Sequence, residues 1–319
     1  LWKTSLERPR LFGWGGLVAL TVFAVMCMSE SIFQRNSGII WFALLLATTS
    51  ALVQQQRWRE LFTVSPKRLH TLSVIMICRD EADRIAHALR SVAGWADEIV
   101  VLDSGSTDHT VEICRKFTDR VEVTDWPGFG LQKQRALDRA RGDWVLSLDA
   151  DEVVSDELRR EIDWVLARRS PYFDGYRVPW STRAFGATLR FGRWTRAPLR
   201  LVRRDRARFT PVSVHEKLLL TGTSRRSGRL EGPLYHYVFR SLDHARAKLT
   251  GYARLQAIER AARGKRATRM GARLRAAMNF IDNYLLRGAF LDGRAGWIMS
   301  RLYARYTYDK YRRLASAGQ

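Results

Sequence analysis

Cysteine is scarce in this chain of 319 residues. Cys27, Cys78 and Cys114 lie far apart, with no CxxC pair and no histidine at metal-site spacing. That excludes a disulfide framework and a thiolate zinc site, and it predicts three buried, reduced thiols in a reducing compartment. No glycine loop ends in Gly-Lys-Ser/Thr, so a P-loop is absent. There is no internal repeat and no low-complexity stretch. After Leu69 no apolar run reaches the length of a membrane-spanning helix. Acidic residues are in deficit: 32 Asp+Glu face 54 Lys+Arg, a net charge of +22. Such an excess attracts something anionic, whether nucleic acid, anionic lipid or a phosphorylated substrate, and composition does not choose among them. The hydrophobic share of 46% and charged share of 27% are those of a globular protein. The length allows one large domain or two smaller ones.

Two long apolar runs stand at the start. Residues 11–28 (LFGWGGLVALTVFAVMCM) and 39–53 (IIWFALLLATTSALV) are separated by a short polar turn. A bilayer core of ~30 Å asks for about 20 helical residues, so the first run qualifies and the second needs flanking residues. Lys3, Arg8 and Arg10 precede the pair; Arg57, Arg59, Lys67 and Arg68 follow it. The positive-inside rule then predicts a membrane hairpin over residues 1–65, with helices at about 11–28 and 38–54 and both ends cytoplasmic. The alternative is a pair of buried soluble helices. A cleaved signal peptide fits worse, because a second apolar run follows the first.

From residue 70 the pattern changes. Short apolar runs at 71–78, 98–102 and 144–148 suit buried parallel strands, with a further short strand at 121–123. Helical spacing occupies 82–95, 110–117, 131–141 and 155–168 between and after them. This alternation predicts an α/β fold with a doubly wound, mostly parallel sheet over 70–235. Residues 236–319, rich in Arg, Leu and Tyr, read as a basic helical region. Its helices are expected at 241–263 and 272–308, the latter with Ile298, Leu302 and Tyr306 on one face and Arg301, Arg305 and Arg312 beside it.

Ligands of such sheets sit beyond the carboxyl ends of the strands. Acidic residues fall at three of those ends: Asp80-Glu81, Asp103, and Asp149 with Asp151. Asp149-Ala150-Asp151 follows the strand WVLSL. In an extended segment residues i and i+2 point the same way, so both carboxylates can reach one Mg²⁺ or Mn²⁺ that also holds substrate phosphates. The plainer alternative is an acidic cluster that favours the dipole of the next helix. Asp103 ends a strand in VVLDSGSTD, where a carboxylate can accept hydrogen bonds from a base or ribose, and its Gly-Ser-Thr turn brings backbone close to a ligand. Asp108 reads as a helix N-terminal carboxylate. Asp80 and Glu81 are ligand contacts or a solvated first helical turn.

SVIMICRDEADRI, EIVVLDSGSTDHT and WVLSLDADE, in this order and spacing, resemble glycosyltransferase family 2. LRLVRRDRARF, VSVHEKL, LEGPLYHYVF and the helix carrying Lys248 and Tyr252 narrow the resemblance to the lipopolysaccharide inner-core β-1,4-glucosyltransferases of the WaaE type, over about residues 71–315. The resemblance implies a GT-A fold and transfer of glucose, with inversion, from UDP-glucose to a heptose of the lipopolysaccharide core. It implies a divalent metal on Asp149 and Asp151, with His215 as a third ligand or a core residue. It also implies a nucleotide-sugar site drawn from Asp80, Glu81, Asp103, Ser104, Asp149, Arg200 and Lys248. Asp80 stands where the family usually has Asn. Inversion needs a general base, for which Glu216 is the first candidate and Glu152 the second. His236 is read as structural, while Arg200, Arg203 and Lys248 are candidates for diphosphate or a phosphorylated acceptor. SESIFQRNSGIIWFALLLA resembles the C-terminal end of O-antigen ligase-type membrane proteins, which places the chain in the same pathway without carrying over ligase activity. The expected partners are a UDP-sugar, a lipid-linked core saccharide and an anionic membrane surface, with no nucleic acid, at the cytoplasmic face of a bacterial inner membrane. Sugar transfer to polyprenyl phosphate is the rival reaction, and a basic RNA-binding or scaffold protein is the non-enzymatic rival.

Overall fold

The computed structural model describes residues 65–212, 216–221 and 226–316. The expected membrane hairpin and His215 fall outside the described residues. Ser65–Gln319 forms one compact unit. The boundary expected between residues 235 and 236 falls inside a strand, Leu234–Tyr237.

Strands β1 (Leu72–Cys78), β2 (Glu98–Asp103), β3 (Val121–Val123) and β4 (Trp144–Ser147) make the parallel centre of the main sheet. Helices α1 (Ile85–Arg90), α2 (Thr110–Arg115) and α3 (Phe129–Arg139) form the crossovers. After β4 come β5 (Glu152–Val154), α4 (Asp156–Leu166), β6 (Gly175–Arg177), β7 (Trp180–Ala184), β8 (Ala187–Leu189) and β9 (Leu199–Arg203). They are followed by β10 (Ala207–Phe209), β11 (Leu218–Leu220), β12 (Ser227–Arg229) and β13 (Leu234–Tyr237). The main sheet has the order β12-β6-β9-β4-β1-β2-β3, with β9 antiparallel to both β4 and β6. A second sheet, β5-β13-β7-β8, stands beside it, and β10 pairs with β11.

The apolar runs are continuous because both faces of the sheet are covered. Val74, Met76, Val101 and Leu146 enter one core with Ile85, Leu89, Leu158 and Ile162 of α1 and α4. Their neighbours Ile75, Val100, Leu102 and Val145 enter the other, with Ala136 and Leu137 of α3. This is the period of two that a pleated strand imposes. Cys78 and Cys114 are free and buried, as expected. Register then gathers the acidic loops: Cys78 lies opposite Asp103, and the Leu148 N–H bonds the Ile75 carbonyl at 3.0 Å. The segments after β1, β2 and β4 thus leave the sheet at one edge.

The C-terminal part is helical: α5 (Leu242–Ala262), α6 (Arg269–Ile281) and α7 (Gly293–Ser316). Ser241 and Thr268 cap α5 and α6 through their hydroxyls, accepting from the N–H groups of His244 and Gly271. The single helix expected over 272–308 is broken. A π-turn at Asp282–Leu286 and a 3-10 turn at Ala289–Asp292 intervene, hinged on Gly288 and Gly293 at φ of 69° and 60°. Asp292 accepts the N–H groups of Arg190 and Phe191, both at 3.0 Å, and Arg193 pairs with Asp282 at 2.7 Å, so the break is tied to the segment that follows β8. The Ile298–Leu302–Tyr306 face of α7 turns inward, into a core with Trp194, Phe239, Ala245 and Leu249. Among the described residues no helix is long and apolar enough to cross a membrane.

Candidate active site

The chain turns sharply after β4. The Glu152 N–H bonds the Asp149 carbonyl at 3.0 Å, and the Asp149 N–H bonds Glu152 Oε2 at 2.9 Å. Asp149 and Asp151 therefore sit on a turn rather than on an extended segment, and they take different partners. Asp149 Oδ1 meets Lys133 Nζ at 2.8 Å and its Oδ2 meets Arg200 at 2.6 Å. Asp151 Oδ2 lies 3.6 Å from Arg84 and 3.7 Å from His236 Nε2. Both oxygens of Asp149 are thus met by protein cations, while Asp151 faces a different pair of groups. Among the described residues no group of three or more His, Cys, Asp or Glu side chains converges on a metal-sized gap.

Burial pushes the Asp149 carboxyl up, but the Arg200 guanidinium and the Lys133 ammonium outweigh it and hold it far below the usual carboxylate range. Asp151 is also lowered, burial being overcome by His236. Burial presses His236 toward its neutral form, yet the Asp151 carboxylate beside it raises its pKa. Strand β13 makes this meeting. His236 lies opposite Glu152 in register, the Tyr237 N–H bonds the Asp151 carbonyl at 2.8 Å, and the His236 ring rests 4.6 Å from that of Trp180. His236, read from the sequence as structural, thus lies against the Asp151 carboxylate.

Glu152, the second candidate base, is fully buried with both oxygens engaged. Oε1 accepts from Trp180 Nε1 at 2.7 Å and from Arg200, and Oε2 takes the Asp149 N–H. Burial raises its pKa against the opposing pull of Arg200. It stands behind the site as a brace. Arg200, only 6% exposed, spends its Nη2 on both Asp149 and Glu152, while its Nε is buried without a hydrogen-bond partner. Arg203 is half-buried and pairs with Asp205 at 3.4 Å. Glu216, the first candidate base, is brought in: its Oε1 meets Lys133 Nζ at 2.8 Å.

Asp103 spends its carboxylate on its own loop. Oδ1 accepts the N–H groups of Gly105 at 3.0 Å and Ser106 at 2.7 Å, and Oδ2 takes the Ser106 hydroxyl. Ser104 is buried, its hydroxyl accepting from Gln132 at 3.1 Å. These contacts fix the shape of the loop. Asp80 has φ of 52°, a left-handed conformation that suits Asn and Asp almost alone among side-chain residues, and its Oδ1 accepts the Thr107 N–H at 2.8 Å. Glu81 pairs with Arg84 and Arg240, each at 2.9 Å; burial raises its pKa against both cations. Beside it opens a cavity of about 430 Å³ lined by Glu81, Arg84, His244, Lys248, Tyr252 and Leu255, and the Lys248 charge helps to lower the Asp151 pKa.

Sequence reasoning missed Lys133, Arg84 and Arg240. Lys133 carried a signal: it shares the i, i+3, i+4 face of α3 with Ala136 and Leu137, where helical spacing demands a buried side chain. A lysine there needs buried anionic partners.

Residues 73–213 match the family described as Glycosyl transferase family 2. The chain is similar to an uncharacterized glycosyltransferase of Rickettsia prowazekii (strain Madrid E), 29% identical over 263 residues, 76% of this chain and 85% of that protein. It is likewise similar to the lipopolysaccharide core biosynthesis glycosyltransferase LpsC of Rhizobium meliloti (strain 1021), 29% identical over 255 residues, 74% of this chain and 89% of the relative. A crystal structure of S. aureus TarS 1–349 with UDP-GlcNAc is 17% identical at a TM-score of 0.40 over 78% of this chain and 91% of that one, a likeness too distant to carry an argument. The chain is a glycosyltransferase. Its residues 73–213 are a glycosyltransferase family 2 domain.

Proposed function

We propose that this glycosyltransferase moves a hexosyl group, glucose from UDP-glucose, with inversion onto a heptose of the lipopolysaccharide inner core, at the cytoplasmic face of a bacterial inner membrane. The observation that carries the reading is the turn after β4: Asp151 meets His236 on one side of it, and Asp149 meets the Lys133–Glu216 pair on the other. The similarity to LpsC supports the class of acceptor.

Asp151 and His236 fit a divalent metal. The carboxylate is partly exposed, and His236 Nδ1 is buried without a hydrogen-bond partner, so the ring can turn either nitrogen to a ligand. Mg²⁺ or Mn²⁺ accepts so small a protein donor set because substrate phosphates and water complete its shell. When bound, the metal supplies charge neutralisation at the diphosphate of the departing nucleotide. Lys133 holds Glu216 at a fixed place beside Asp149, where Glu216 takes the proton of the attacking acceptor hydroxyl. Arg84 and Lys248, on the cavity wall, add positive charge near the diphosphate.

The test is transfer of labelled glucose from UDP-glucose to purified truncated core lipopolysaccharide. Asp151→Asn and His236→Ala abolish transfer while circular dichroism stays that of the wild type. Glu216→Gln lowers kcat by about 10²–10⁴ with little change in donor KM. Wild-type rates in Asp151→Asn, or full activity in EDTA, refute the reading.

A further inference from the structure

Helix α6 presents a face that the fold leaves uncovered. At 100° per residue, Met270, Leu274, Met278 and Ile281 fall within about 80° of one another around the helix. Leu285 and Leu286 continue the row in the π-turn that follows. All six are exposed, from 46% at Ile281 to 78% at Leu286. Scattered exposed apolar residues are ordinary, but a contiguous row marks an interaction surface.

Charge narrows the occupant. From Arg263 to Arg287 the chain has seven basic residues and one acidic. That acid, Asp282, is neutralised by Arg193 and Arg287 at 2.7 and 2.9 Å. Arg269 and Arg273 are exposed alongside the row. Two copies of such a face would bring like charges together. An apolar row with arginines beside it instead matches an anionic bilayer surface, where apolar side chains enter the acyl boundary and guanidinium groups meet headgroup phosphates.

We propose that α6 and the turn after it form a docking face for an anionic lipid surface. Helix α7 packs against both α6 and α5, and α5 supplies Lys248 and Tyr252 to the cavity beside Arg84. Docking through α6 therefore holds the catalytic bundle at the bilayer that carries a lipid-linked acceptor. The inference rests on the proposed acceptor for its purpose, but not for its measurement.

The experiment uses the full chain with Cys27→Ser, so that Met278→Cys takes a thiol-reactive, environment-sensitive fluorophore while Cys78 and Cys114 stay buried. Phosphatidylglycerol-rich vesicles shift the probe to the blue and shield it from iodide. Phosphatidylcholine vesicles and high salt do not, and a probe at Asp119→Cys stays open in every case. Arg269→Gln and Arg273→Gln each lower the docked-to-free ratio about fivefold. Equal iodide access at position 278 in both vesicle types overturns the proposal. So does shielding that rises with protein concentration in the absence of lipid, which assigns the face to a second copy. The probe reports docking whether or not sugar is transferred, so failure here and failure of the proposed reaction are separate results.

Discussion

Arg200 is the residue whose removal the structure prices most clearly. It is 6% exposed and joins Asp149 and Glu152. In Arg200→Met, Asp149 keeps Lys133 at 2.8 Å, whereas fully buried Glu152 keeps only the Trp180 indole N–H at 2.7 Å and the Asp149 N–H at 2.9 Å. One carboxylate is thus left in the interior without its cation. Breaking a buried pair in this way costs about 3–5 kcal/mol, against the ~0–1 kcal/mol of an exposed pair. Glu152→Gln retains an acceptor for both N–H groups and removes the stranded charge. The double variant Arg200→Met/Glu152→Gln is therefore expected to regain about 2 kcal/mol of the loss, appearing as a coupling energy in a double-mutant cycle. Urea unfolding followed by circular dichroism, with matched m-values, measures all four proteins. A single variant less than about 1 kcal/mol below the wild type, or a double variant no more stable than the single, refutes the buried brace.

Two further substitutions probe backbone rather than charge. A Cβ on Gly130 would lie 2.0 Å from the Thr210 carbonyl oxygen and 2.8 Å from that of Val212. Gly130→Ala should cost about 1–3 kcal/mol as overpacking and slow transfer by displacing the segment that leads to Glu216, whereas an unchanged Tm and rate would remove that close approach. At Asp80, with φ of 52°, Asp80→Asn should match the wild type in stability and transfer while Asp80→Val loses about 1–2 kcal/mol. Equal urea midpoints for the Asn and Val variants would contradict the left-handed requirement.

The parallel centre of the fold was readable because its strands are apolar on both faces, and uninterrupted runs such as 71–78 and 144–148 have few other uses. The second sheet was not. β5, β7, β8 and β13 are three to five residues long with mixed burial, so they leave no period to read. The break between α6 and α7 escaped because leucine and arginine continue at helical spacing through residues 282–292, and only Gly288 and Gly293 mark it. At the site, the acidic strand ends were visible as a pattern, but their partners come from α1, α3, β9 and β13. A motif read along the chain carries no information about which cation the fold brings to each carboxylate. That is why Asp149 and Asp151, two residues apart, face different charges.

The tie between Asp292 and the backbone of Arg190 and Phe191 bears on how such a chain changes its substrate over time. With Arg193 also clamped to Asp282, the turns between α6 and α7 are fastened to the segment that follows β8. On the proposed reading, Lys248 and Tyr252, which α5 sends to the cavity wall, are where a change of acceptor would be accommodated.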